Sequence, residues 1–162
     1  MHHAGWFLPG ALLVALLMPA RPVVAQAGHG IAVTQAWARA TPPGASVGGA
    51  YFTIVNDGDA DVLLRVESPV SRKAEVHLMQ MKDGMMSMRP MPTVAIPAHG
   101  RVVFSPEGLH VMLVDLHQPL RQGEHVPLTL VFRKAGPVQV QAITGGLGDE
   151  GPAVAADHGG HH

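Results

Sequence analysis

"GLHVMLVD", residues 108–115, reads as a β-strand by composition, with an imidazole and a thioether set into a run of Leu and Val. Side chains alternate faces along a strand, so Leu109, Val111 and Leu113 point one way and His110, Met112 and Val114 the other. One face is a candidate for the core; the other carries two metal-ligating residue types. The rest of the chain from about residue 30 has the same grain. "IAVTQAWAR" (31–39), "GAYFTIVN" (49–56), "DVLLRVE" (61–67) and "AEVHLMQ" (74–80) all read as strands. So do "MSMRPM" (86–91), "RVVFS" (101–105), "LHVMLV" (109–114), "VPLTLVF" (126–132) and "VQVQAI" (138–143). Between them lie turn sequences such as "TPPGAS", "NDGD", "KDG", "SPEG" and "KAGP". Short strands recurring at about ten-residue spacing predict an all-β fold, an antiparallel Greek-key β-sandwich or barrel. Trp37, Phe52 and Phe132 are candidates for its core.

The two ends of the chain differ from this pattern. "WFLPGALLVALLMPA" (6–20) is apolar but shorter than the roughly 20 residues of a spanning helix. Small residues before Ala25 and Ala27 offer cleavage sites, so residues 1–27 are expected to be a secretory signal peptide. No Lys or Arg precedes the apolar run, which leaves a retained anchor as the alternative. At the other end, "GGLGDEGPAVAADHGGHH" (145–162) contains six glycines and little to bury, and is expected to be a disordered tail. The folded domain is therefore expected over 28–144, exported and monomeric.

Charge and cysteine content exclude several functions. A net charge of −1, with 11 Lys and Arg spread along the chain, gives no footprint for nucleic acid or for an anionic membrane surface. With no cysteine, dithiol redox catalysis, thiolate zinc sites, iron–sulfur clusters and blue-copper electron transfer are excluded. No Ser, His and Asp pattern suggests nucleophilic catalysis, and the chain is not expected to be an enzyme.

Methionine is concentrated: six fall within "MQMKDGMMSMRPM", Met79–Met91. A lone Met is usually a pliable core filler, but six in one hairpin would specify a core poorly. Two hairpin registers are open. A four-residue loop, Met81–Gly84, puts His77 directly opposite Met88. A two-residue Asp83-Gly84 turn puts Met79 opposite Met88, with His77 its diagonal neighbour. Both keep His77 and Met88 on one face; a one-residue slip would separate them. Together with His110 and Met112 they form a soft, neutral donor set, and thioether sulfur selects Cu(I) over Zn, Mg or Ca.

The four residues read H-x10-M-x21-H-x-M. This resembles the motif of the PCu(A)C family of periplasmic copper chaperones. "WARATPPGASVGGAYFTIVN" (37–56), "MRPM" (88–91), "EGLHVMLVDLHQPLRQGE" (107–124) and "VPLTLVFRKAG" (126–136) are similar to that family as well. The resemblance implies a cupredoxin-like barrel without the electron-carrier cysteine, with His77, Met88, His110 and Met112 as Cu(I) ligands. It also implies delivery of copper to cytochrome c oxidase, at the CuA centre of subunit II, alongside Sco-type assembly proteins. The extra Met79, Met81, Met85, Met86 and Met91 leave the identity of individual thioether ligands open, and His117 stands in "DLHQPL" where the family would have Lys. His99, His117 and His125 flank turns and read as solvated. The tail's His158, His161 and His162 are read as a candidate second, Cu(II) site. Copper sequestration with the same residues is the alternative function. A β-sandwich adhesion module whose methionines only fill a core is the third.

Overall fold

Ten strands run through the part of the chain that the computed structural model describes, residues 30–148 and Gly151. The expected signal segment, 1–27, and the tail residues His158, His161 and His162 lie outside the described residues. The strands are β1 (Ile31–Arg39), β2 (Val47–Asn56), β3 (Asp61–Glu67), β4 (Ser71–Lys82) and β5 (Met85–Pro90). They continue with β6 (Val94–Ile96), β7 (Gly100–Phe104), β8 (Leu109–Leu116), β9 (His125–Phe132) and β10 (Gly136–Gly145). Among the described residues every regular element is β, as the alternation predicts. The short β6 was not expected, because three residues between Pro92 and Pro97 carry too little alternation to read.

All ten strands join one open sheet in the order β5-β4-β8-β7-β2-β1-β10-β9-β3-β6. The chain repeatedly leaves one half of the sheet for the other, as in β2 to β3, β3 to β4 and β8 to β9. The sheet bends over one core that draws Phe52 and Ile54 from β2, Val111 and Leu113 from β8, and Leu130 and Phe132 from β9. Most pairings are antiparallel, as expected. The join between the halves is not: β1 runs parallel to β10, with Trp37 opposite Ile143.

A bulge in β1 decides which face Trp37 takes. Thr34 pairs with Thr53 but Trp37 pairs with Tyr51, so β1 spends one extra residue there, and Gln35 takes φ 52°. Because parity flips across a bulge, Trp37 moves to the outer face beside Tyr51, ring centroids 4.4 Å apart. Both rings are nonetheless buried, and a Cβ on Gly151 would come within 2.7 Å of the Trp37 indole. The chain beyond β10 thus returns across this face at Gly151.

The turn between β9 and β10 is held by a carboxylate. Asp61, buried at the start of β3, accepts backbone N–H bonds from Val62 (2.7 Å) and Lys134 (2.9 Å) at Oδ1 and from Ala135 (2.9 Å) at Oδ2. Burial pushes its pKa up, but the three N–H groups and the Lys134 charge outweigh that and hold it below the usual carboxylate value. A depressed folded pKa means that the unfolded chain binds the proton more readily. The stabilisation is therefore present above the unfolded value of 3.8 and is lost as pH falls through the lower folded value. Asp61→Asn should cost on the order of 2 kcal/mol at neutral pH, since its amide NH2 cannot accept from an N–H. Its stability should also fall less steeply than wild type between pH 5 and 2. Urea unfolding across that range checks both; an equal pH slope in the two proteins would remove Asp61 from the account.

Candidate metal centre

The strand β4 is long enough to pair with two neighbours, β8 along Ser71–Leu78 and β5 along His77–Lys82. His77 sits where the two pairings overlap. It lies directly opposite His110 on one side and Pro90 on the other. The hairpin adopts the two-residue register: Lys82 pairs with Met85, and Asp83 (φ 52°) and Gly84 (φ 77°) form the intervening turn. Two positive φ values in succession are the type I′ geometry that Asp-Gly favours, and its twist suits a hairpin. The four-residue alternative is not found, so Met79 rather than His77 faces Met88. Met88 is the diagonal neighbour of His77, a separation of about 7–8 Å between backbones that a thioether side chain spans.

On the other side Met112 pairs with Glu75, two residues from His77 and two from His110. The four candidate residues therefore share one face, with the two imidazoles side by side and the methionines at opposite diagonal corners. Parity sends their neighbours Val76, Val111 and Leu113 into the core. Of the remaining hairpin methionines, Met79, Met81 and Met86 stand on the His77 face, while Met85 pairs with Lys82 on the opposite one. Met91 is packed against the core.

The two rings meet edge to face, centroids 6.0 Å apart. His110 is 9% exposed, so the site is deeper on that side than an exposed strand residue would be. Its Nδ1 lies 3.1 Å from the Gly108 carbonyl oxygen, which requires Nδ1 to donate and leaves the Nε2 lone pair free. In His77 the roles are reversed. Nε2 is 3.4 Å from the Glu75 carboxylate, and Nδ1 is buried without a hydrogen-bond partner. Each ring thus has one nitrogen turned to a protein oxygen and the other with a lone pair unused. That is how metal-ligating histidines are ordinarily oriented, and an orphaned buried nitrogen is otherwise costly. The donor set fits a soft monovalent ion. Glu75 was not singled out from sequence, although "EVH" places it on the His77 face by period two.

His99, His117 and His125 are exposed and stand away from this face. Among the described residues, no three His, Asp or Glu side chains gather as a hard-cation site would require.

A family model of LpqE-like lipoproteins matches residues 31–144. The chain belongs to the LpqE-like family. A lipoprotein of Leifsonia xyli subsp. xyli is 28% identical over 105 residues, 64% of this chain. The chain spans 62% of the length of that curated relative. Among solved structures, the copper-bound PCuAC domain from PmoF2 is 28% identical with a TM-score of 0.64, over 76% of this chain and 99% of that one. The solution structure of apo-DR1885 from Deinococcus radiodurans is 28% identical with a TM-score of 0.59, over 92% and 100%. The Cu(I) form of DR1885 is 29% identical with a TM-score of 0.54, over 76% and 81%. The structural neighbours of this LpqE-like chain are thus PCuAC domains with a cupredoxin-like β fold, the family whose motif its sequence resembles.

Burial separates the candidate ligands by their structural cost. His110→Ala removes a buried ring and its bond to Gly108, and should destabilise the metal-free protein by about 1–3 kcal/mol. Met88→Leu, at a side chain 47% exposed, should stay within about 0.5 kcal/mol of wild type. Chemical denaturation without metal checks the pair. Equal losses would mean that Met88 is packed rather than open.

Proposed function

We propose that the chain is a periplasmic copper carrier that holds one Cu(I) between His77, Met88, His110 and Met112. One observation carries the reading: two facing imidazoles, each with one nitrogen turned to a protein oxygen and the other free, in a field of thioethers. Two structural neighbours, the copper-bound PCuAC domain from PmoF2 and Cu(I)-DR1885, support it. Thioethers stabilise Cu(I) without the thiol that an oxidising compartment would attack. The exposed Met88 side leaves the ion open to ligand exchange, while His110 holds it from below. The recipient in this reading is the CuA centre of cytochrome c oxidase subunit II, directly or through a Sco-type assembly protein.

Membership of the LpqE-like lipoprotein family and similarity to the Leifsonia lipoprotein support an exported envelope protein. Residues 1–162 contain no cysteine, and the apolar segment 6–20 is the candidate among them for retention at a membrane. Sequestration is the second reading, favoured by the additional thioethers exposed on β4 and β5.

Anaerobic titration of Cu(I) against a chromophoric chelator, with X-ray absorption, tests the site. Wild type should show nitrogen and sulfur ligands. Glu75→Gln should weaken binding about tenfold by loosening the His77 ring, and His110→Ala by considerably more. Unchanged affinity in His110→Ala would remove the site. Transfer of copper to apo subunit II, and oxidase activity lost at low copper on gene deletion, separate delivery from buffering, which predicts copper sensitivity instead.

The tail histidines make a further expectation. Deleting 152–162, which spares the Gly151 contact with Trp37, should abolish one Cu(II) equivalent and leave Cu(I) binding unchanged. If Cu(II) stoichiometry is the same without these residues, the tail is not a site.

A further inference from the structure

The β4–β5 hairpin presents more sulfur than one Cu(I) site uses. Met79 pairs with Met88 and Met81 with Met86, two successive same-face pairs. They form a block of four thioethers, of which Met81 is 66% exposed, Met86 54% and Met88 47%. Of the eight exposed large apolar side chains among the described residues, four, Met81, Met85, Met86 and Met88, lie on this one hairpin. A packing role is ruled out for Met81 and Met86 by that exposure. Propensity does not call for them either, since solvent-facing hairpin positions are ordinarily polar.

Chemistry narrows what such a block can take. Thioether sulfur is a weak acceptor for hydrogen bonds and binds hard cations poorly, whereas soft monovalent ions such as Cu(I) and Ag(I) are its preferred partners. Directly opposed residues in an antiparallel pair have Cβ atoms about 4.5–5.5 Å apart, and successive same-face pairs follow at about 7 Å. Three flexible side chains within that spacing can close a trigonal set around one ion. Met85 on the opposite face cannot join it, and Met91 is packed against the core.

We propose that Met79, Met81 and Met86 form a second soft-metal site, an all-thioether station for Cu(I) at the hairpin tip. Met88 stands next to both sites, opposite Met79 and diagonal to His77, so it is the side chain that can pass the ion from one set to the other. The ion enters at the exposed tip and moves along the strand to the deeper imidazoles by stepwise exchange of neutral ligands. This inference builds on the proposed His77–His110 site, but its test does not depend on it.

The test uses Ag(I), which is redox-inert, and Cu(I) under anaerobic conditions, with full-length protein. A variant lacking the tail histidines, by deletion of 152–162, is run in parallel. Wild type should bind two equivalents of Ag(I). Met81→Leu with Met86→Leu, exposed and volume-conserving, should bind one, with the nitrogen-containing X-ray absorption signature kept. His77→Ala with His110→Ala should also keep one, now with sulfur ligands alone, and Ag(I) should shift the methyl resonances of Met81 and Met86. If wild type binds a single equivalent and the Leu pair leaves it unchanged, the tip site is wrong while the His77–His110 site stands. Loss of all binding in the His pair would equally overturn the tip site. Retention of two equivalents by the Leu pair would place the second ion elsewhere.

Discussion

Parity along β4 is the constraint on which everything else depends. A strand has two faces, and a slip of one residue exchanges them. Here β4 must satisfy two partners at once. Its even positions, Ala74, Val76 and Leu78, face the side on which Val111 and Leu113 are buried, while Glu75, His77, Met79 and Met81 take the other side. Burial of each large aliphatic chain contributes about 1.5–3 kcal/mol, so the β4–β8 register is fixed by the core and not by the site. The β4–β5 register has less apolar burial behind it, since every residue of β5 is exposed. The Asp83-Gly84 turn fixes it instead. Two residues at positive φ permit only one pairing of Lys82 with Met85, and Met88 follows from that.

This division explains why most of the fold could be read from sequence and some of the site could not. Strands such as "LHVMLV" and "VPLTLVF" declare themselves through alternation, and turn chemistry separates them. What alternation cannot carry is pairing between distant segments. The parallel contact of β1 with β10 joins residues more than a hundred positions apart, and no local pattern signals it. The bulge at Gln35 is similarly silent. A strictly alternating β1 would have put Trp37 on the Ile31 face, and only the pairing with Tyr51 shows that it crosses over. For the site, both hairpin registers agreed with composition, and the choice between them lay in backbone dihedrals. His110 and Met112 stood out because they interrupt an apolar strand. Glu75 did not, because a carboxylate on a solvent-facing strand position is ordinary.

Exposure rises steadily across the outer face. His110 is nearly covered, His77 is 12% exposed at its side chain, Met88 is about half open, and Met81 lies largely in solvent. The donors change along the same line from imidazole to thioether. An imidazole nitrogen buried without a partner costs stability in the absence of an ion, so such groups belong where backbone and carboxylate oxygens can hold the ring. A thioether loses little whether bare or bound, and tolerates water. For the proposed site, the order of burial therefore matches the order of what each side chain would lose on release of the ion.

A carrier has to bind an ion and also release it, which requires that the protein itself scarcely change between the two states. In the proposed carrier the sheet would meet this by placing core and donors on opposite faces of the same strands. Val111 and Leu113 are fully buried on the face opposite His110 and Met112, so their packing does not run through the face that carries those two side chains. In the proposed carrier, exchange requires no rigid-body motion of the sheet; rotation of flexible side chains such as Met88 is enough. The backbone that fixes the ring orientations is tied down by the ladders between β4 and β8. Met88 and the other hairpin thioethers, by contrast, sit at a sheet edge that is open, while Met112 shares β8 with His110. Tight positioning of the imidazoles and of Met112 and loose positioning of the hairpin sulfurs thus arise from one arrangement, an edge hairpin laid against a strand that belongs to the core.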